Sequence, residues 1–197
     1  MKEITITVPD GKKAEWVNGV LTLIDEEVKY KRPVMERIKS FEDAMAVLEE
    51  SHPLVIQYKE IYDNFLENGG DGVKDIVAYL KLRIIVAALN EGWEPQFTEE
   101  ECRWYPWLTL WTEEELAEKT EGWKKDHALC TFVGSSTIGS LCGLTCSGSY
   151  DAGASSDEGY SARLAVKSKE LATYFGKQFI EIWTDFVGPF NRKDTEE

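Results

Sequence analysis

Nucleophilic catalysis by serine or cysteine needs a neighbouring base, and this chain offers only His52 and His127 as imidazoles for that role. Each stands in polar sequence beside an expected helix end, where a histidine caps or is solvated, so neither is assigned a catalytic part. Cys142 and Cys146, with Cys130 and His127 nearby, have the ligand types of a zinc site. Structural zinc, however, takes its thiolates from paired knuckles, and the single C-x3-C here has no second one. The two cysteines would share a strand face with Leu144, which makes them small core residues. Asp151, Asp157 and Glu158 are close enough in sequence to meet at a calcium ion but lack the ligand spacing of a known loop, and read as surface decoration. Thirty-six acidic residues are too many for spacing to single out an acid/base pair. No G-x-G-x-x-G opens a helix after a strand, and no phosphate loop ending in Gly-Lys-Ser/Thr occurs. The expectation is a chain with no assigned catalytic residue, no metal and no cofactor.

Binding chemistry is better represented. In RWYPWLTLW, strand spacing puts Tyr105, Trp107 and Trp111 on one face and Trp104, Leu108 and Leu110 on the other. Two apolar faces predict a central strand covered on both sides, and Tyr105 and Trp107 are the candidates for a platform that takes a sugar ring, a base or a partner protein. The polar stretch from Ser147 to Gly159 mixes Ser, Gly, Asp and Tyr, the palette of binding loops and equally of plain connectors. Tyr150, Asp151 and Tyr160 are its candidate contacts. Beyond it, Arg163 and Lys167 fall on the wet side of an expected strand and are candidate anion contacts.

The elements that must position these residues follow from periodicity. EITITV alternates as a strand, and Asn18-Gly19 sits between two β-rich arms as a hairpin turn. Residues 33–92 read as helical. Ser40 with Asp43 resembles a capping box, a helix is expected over 54–66, ended by Asn68-Gly69-Gly70, and the stretch ending AALNEG carries Ile76, Val77, Leu80, Ile84, Ala87 and Ala88 as one apolar stripe. EPQFTEEEC reads as an acidic connector, and Thr112 with Glu115 caps a short charged helix. Strands are expected over 128–133, 141–146 and 160–167, and one helix from Ser168 to about Val187, stopped by Gly188-Pro189 before a loose charged tail. The fold class is therefore α+β: an N-terminal β-hairpin, a helical middle, and an antiparallel sheet packed against a long C-terminal helix. One body over 1–197 is expected, with lobes at 1–92 and 93–190.

A chain of 197 residues with 43% hydrophobic and 29% charged residues can bury a sizeable core. Its formal net charge of −14 argues against nucleic-acid binding, which needs clustered Lys and Arg. No apolar run reaches the length of a membrane span, and the start lacks the layout of a secretory signal. Four cysteines then read as reduced thiols, and the expected location is the cytoplasm.

MKEITITVPDGKKAEW, DIVAYLKLRIIVAALNEGWEPQFTEEECRWYPWLTLWTEEEL and YSARLAVKSKELATYFGKQFIEIWTDF resemble uncharacterised proteins of phages and prophages of gut Bacteroidales. A WYPW-like strand and an R-L-x-x-K-S-x-E-L-A-x-Y-x-G-K-Q-F ending recur in that group. The resemblance implies a setting, the bacterial host cytoplasm or the virion, more than a mechanism. Tyr160 to Leu164 also resembles the closing strand of C-type-lectin-like domains, from which this chain departs by its short β region and the long helix that follows. The expected function is a non-enzymatic binding or virion-associated module presenting the polar loop to a protein partner or to another copy. One alternative is an acidic inhibitor or sequestering protein that counteracts a host defence factor or captures its nucleotide signal as a small-molecule ligand. A metal-assisted hydrolase is the third.

Overall fold

The computed structural model describes residues 7–8, 12–17, 19–25, 32–67, 73–133, 141–152, 161–188 and 191–192. They belong to two compact units, Met1–Arg37 and Ile38–Glu197. The division falls at residue 37, and the helices of 41–90 lie in the same unit as the sheet.

In the first unit β1 (Lys12–Val17) and β2 (Val20–Asp25) pair antiparallel, from Lys12 opposite Asp25 to Val17 opposite Val20. That register leaves room for a two-residue turn between the strands, in which Gly19 supplies a positive φ of 81°. Ala14, Trp16, Leu21 and Leu23 share one face, on which Trp16 is 71% exposed. A single turn of helix, α1 (Val34–Arg37), follows. The strand expected at EITITV lies outside the described residues apart from Thr7 and Val8, which are not in a strand.

The second unit opens with α2 (Phe41–Leu48), whose start carries the expected capping box: Ser40 Oγ accepts from the Asp43 amide at 3.1 Å, and the Asp43 carboxylate accepts from the Lys39 and Ser40 amides at 2.9 and 3.0 Å. Those amides hold the Asp43 carboxyl below its ordinary range. α3 (Pro53–Glu67) begins on His52, whose Nδ1 accepts from the Leu54 amide at 3.2 Å, with Pro53 in the first helical position. Phe41 meets Tyr58 edge-on at 4.9 Å between ring centres, and Tyr58 stacks on Tyr62 at 5.3 Å.

Burial pushes the Tyr58 hydroxyl from 10.0 up to about 12, with Tyr62 and Glu42 adding to the shift. A phenol whose folded value is raised stabilises the fold in full below its unfolded value and loses that contribution as pH climbs to the folded one. Stability is therefore expected to fall between pH 10 and 12, and Tyr58→Phe should flatten that fall. Urea midpoints at pH 9, 10.5 and 11.5 measure it; parallel curves for the two proteins would refute the assignment.

The long helix α4 (Lys74–Asn90) does not carry the single stripe its sequence suggests. Ile76 is 44% exposed, while Ala78, Leu82, Ile85, Val86 and Leu89, outside that stripe, are buried with Val77, Leu80, Ile84 and Ala88. The reason is its place in the fold: α2, α3, the C-terminal helix and the turn at 162–164 pack around it, so a helix apolar on most sides is what the site requires. Glu91 and Gly92, at φ of 51° and 87°, end it.

The sheet has the order β3–β5–β4–β6, all antiparallel, with β3 (Arg103–Thr112), β5 (Leu141–Ala152), β4 (Cys130–Val133) and β6 (Asn191–Arg192). The aromatic strand β3 is an edge rather than the expected central strand. Trp104 exchanges backbone hydrogen bonds with Val166 on the outer side, so Pro106, two residues on, turns its N-H-less nitrogen to the free edge where no ladder bond is missed. β5 takes the inner position, and twice the register skips a residue on it, at Ser147 and at Cys142. Between β3 and β4 lie α5 (Glu113–Ala117), with a Thr112–Glu115 capping box, and α6 (Glu121–Asp126).

Two further expectations are corrected. Where a strand is expected over 160–167, the described residues 161–167 form none: Ala162–Leu164 make one 3-10 turn, begun by Ser161 at φ 136°, Val166 makes a lone bridge to Trp104, and Leu164, Ala165 and Val166 are buried in succession because α4 lies on one side and β3 on the other. The C-terminal helix is two helices, α7 (Lys169–Gln178) and α8 (Ile180–Val187), broken at Phe179 with φ −116° and ψ 29°. The break serves two partners, since Leu171, Ala172, Phe175 and Gly176 pack α7 on β3 and β5, whereas Ile180, Trp183 and Thr184 pack α8 against α4. Part of the tail expected to be loose is also fixed, because Asn191 and Arg192 pair with Val133 and Phe132.

Candidate functional site

A groove of about 590 Å³ opens at the C-terminal end of α4. One wall is the helix face of Arg83, Val86, Ala87 and Asn90, spaced three and four apart so that they line up on one side. Leu48, His52 and Leu54, from the turn between α2 and α3, form a second wall. The third comes from the chain after α4, with Trp93, Glu94, Pro95 and Phe97, and the fourth from Ser161, Ala162, Arg163 and Ala165.

The third wall is the segment that reads in sequence as an acidic connector, and it is held by a small network. The Glu101 carboxylate accepts from the Gln96 amide at 2.9 and 3.0 Å and from the Phe97 amide at 2.7 Å. It also lies 3.7 Å from the guanidinium of Arg103, which is fully buried, and that guanidinium sits over the Phe97 ring at 4.3 Å. Phe97 has a positive φ of 57°, a conformation the two amide bonds to Glu101 support. Glu101→Gln keeps the shape but removes the charge that faces Arg103 and the amides. Exchange of the Gln96 and Phe97 amides with deuterium is expected to quicken at least tenfold while the amides of α4 keep their protection; unchanged exchange at 96 and 97 would show that the loop is held by something else.

The fourth wall is tied to α4 by Asn90, which is buried. Its Nδ2 donates to Ala165 O at 2.9 Å, and its Oδ1 accepts from the Lys167 amide at 3.1 Å. Lys167 is paired within the fold. Its Nζ donates to Asn90 O at 3.3 Å and meets Glu91 Oε2 at 3.1 Å, which places a cation on the last turn of α4, where the carbonyls lack helical partners.

Arginines in the groove are differently placed. Arg83 lies 5.9 Å from the centre of the Tyr79 ring, one helical turn back, and Arg163 is exposed. Among the described residues neither forms an ion pair, whereas Lys59, Lys74, Arg103, Lys124 and Lys167 each do. Glu94 is the acidic side chain on the groove's walls, and His52 spends Nδ1 on capping α3, leaving Nε2 as its remaining polar atom.

The sequence candidates divide between this groove and its surroundings. Arg163 lines it. Tyr105 is fully buried and therefore is not a contact surface: with Ala152 and Ala165 it forms a core cluster on which Trp93 and Tyr150 pack, so it backs the groove wall from behind. Tyr150 stacks on Tyr105 at 5.5 Å and meets Trp107 edge-on at 5.6 Å; Trp107 is 54% exposed and faces solvent. Asp151, opposite Trp104, lies on the other face of β5 and is exposed. Tyr160 lies outside the described residues. Half of the polar stretch expected to be a loop, Ser147 to Ala152, is strand β5, and 153–159 are outside the described residues. Arg83, Trp93 and Phe97 escaped sequence reading; the one available signal was an arginine set between Leu82 and Ile84 at the start of the apolar run that ends the helix.

The remaining chemistry-bearing groups have structural places. His127 ends α6, donates from Nδ1 to Trp123 O at 2.8 Å and stacks on the Trp123 ring at 4.0 Å. Cys146 is buried beside Gly176, and burial pushes its thiol pKa up. All four cysteines are free thiols, and among the described residues no group of three His, Cys, Asp or Glu is arranged to hold a metal ion. No helix of the described residues is long and apolar enough to cross a membrane. A second depression of about 570 Å³ is lined by α7 alone, from Lys169 to Gln178, and has no opposing wall. Compared with known protein families, with curated proteins and with solved structures, the chain gives no match.

Proposed function

We propose that the chain is a non-catalytic binding module, encoded by a phage or prophage, that captures a small anionic ligand in the groove at the end of α4. The observation that carries this reading is the pair Arg83 and Arg163, which form no ion pair among the described residues although the chain carries fourteen more negative than positive charges. In so acidic a protein a cation without a carboxylate partner leaves its charge for a ligand. Leu48, Leu54, Val86, Trp93, Pro95 and Phe97 give the walls apolar area beside a few polar groups, His52, Asn90, Glu94 and Ser161, the mixture that buries a small molecule while polar atoms orient it. Presentation of the polar loop, the other form of a binding module, has less support because residues 147–152 are committed to β5.

The test is native mass spectrometry of the protein purified from its own host without added ligand. A species of a few hundred daltons is expected on the wild type and is expected to be missing from the Arg83→Gln/Arg163→Gln protein. A ligand-free wild type would overturn the reading. A separate role in protein contact is favoured for Trp107, whose exposed indole lies beside Tyr150 on the sheet and is not a wall of the groove.

A further inference from the structure

Resting on that reading, we propose that the ligand joins one phosphate group to one flat ring, as in a nucleoside monophosphate. Four features of the groove select this chemistry. Two guanidinium groups bring planar donor forks that match phosphate oxygens better than an ammonium does. Among the described residues of the walls, Glu94 offsets one of those charges and leaves a net charge near +1, which suits a single phosphate rather than a chain of them. Trp93 and Phe97 offer ring faces, and stacking on such faces is indifferent to the identity of the ring. The volume of about 590 Å³ has room for both parts at once.

The framework around these groups is rigid where stacking needs it to be. Trp93 packs on the Tyr105, Ala152 and Ala165 cluster, and Phe97 is pinned between Arg103 and the amide bonds to Glu101. Held in advance, both rings lose little freedom when a ligand ring arrives. The cation on the helix end, Lys167, is paired with Glu91, so the charges left to meet a phosphate are the two arginines.

Tryptophan fluorescence titrations of the full chain at about 150 mM salt test this with adenosine, guanosine and cytidine 5′-monophosphates, flavin mononucleotide, the matching nucleosides and inorganic phosphate as probes. At least one monophosphate is expected to bind ten times more tightly than its nucleoside and than phosphate alone. Arg163→Gln, at an exposed position, is expected to weaken it at least tenfold without changing the melting temperature, and Arg83→Gln to do the same. The series distinguishes a purine, pyrimidine or flavin ring as the source of the flat group. If no monophosphate binds but the host-purified protein carries another species that Arg163→Gln releases, the ligand class is wrong and the groove reading stands. If a monophosphate binds and both arginine variants bind it equally well, the assignment to this groove is overturned. If nothing binds and nothing is carried from the host, both proposals fall.

Discussion

Gly176→Ala is expected to cost about 3 kcal/mol of stability, at the upper end of what overpacking a well-filled interior does. A β-carbon on residue 176 would lie against Cys146 Sγ, 2.6 Å from Pro106 Cβ and 3.3 Å from Cys146 Cβ. The two β-carbons are fixed to the strand backbone, and Cys146 Sγ is one torsion from it. Pro106 is a ring locked to the backbone of β3, and Cys146 lies on the inner strand β5, so the accommodation available is for α7 to lift off the sheet. The lift would open the face on which Leu171, Ala172 and Phe175 are buried. Urea unfolding followed by circular dichroism measures the loss. Cys146→Ala in the same chain should recover part of it by removing the sulfur, but not all, because Pro106 stays. An unchanged midpoint in the single variant would mean that helix and sheet are not in contact at this point.

Asn90→Leu is the second large effect, about 3 kcal/mol, although the two side chains have the same number of heavy atoms and the same branching. The Asn90 amide serves the Ala165 carbonyl and the Lys167 amide, and leucine would leave both without a partner beside a buried helix end. Each orphaned group costs about 1–3 kcal/mol. Asn90→Asp retains an acceptor for the Lys167 amide and loses the donor to Ala165, so an intermediate loss is expected. Thermal unfolding of the three proteins gives the order; a leucine variant as stable as the wild type would show that the 165–167 segment is held by its apolar burial alone.

Local signals in the sequence proved reliable where the structure is decided locally. The hairpin turn at Gly19 and the capping boxes at Ser40 and Thr112 are fixed by residues within four positions of each other. The α+β class followed from the same short-range patterns. What stayed hidden was decided by partners far away in the chain. β3 reads as a central strand because both its faces are apolar, yet pairing with β5 on one side and a lone bridge from Val166 on the other makes it an edge. Periodicity joins 168–187 into one helix, but the sheet and α4 ask for differently directed faces, and the chain breaks at Phe179 to satisfy both. The groove was legible only at Arg163. Arg83, Trp93 and Phe97 come from segments that spacing cannot relate, and their convergence depends on Asn90 and Glu101 holding loops to a helix end.

The burial of α4 on nearly every side has a consequence for how the protein is made. Its covering on one flank is α8, which begins at Ile180, so about ninety residues must be added after Asn90 before that flank can close. At about 5–20 residues per second a ribosome leaves the nascent helix with an open apolar flank for roughly 5–20 seconds. Chains that stop before residue 180 should therefore be captured by chaperones or degraded, and the last helix, rather than any residue of the groove, sets when the molecule first becomes competent.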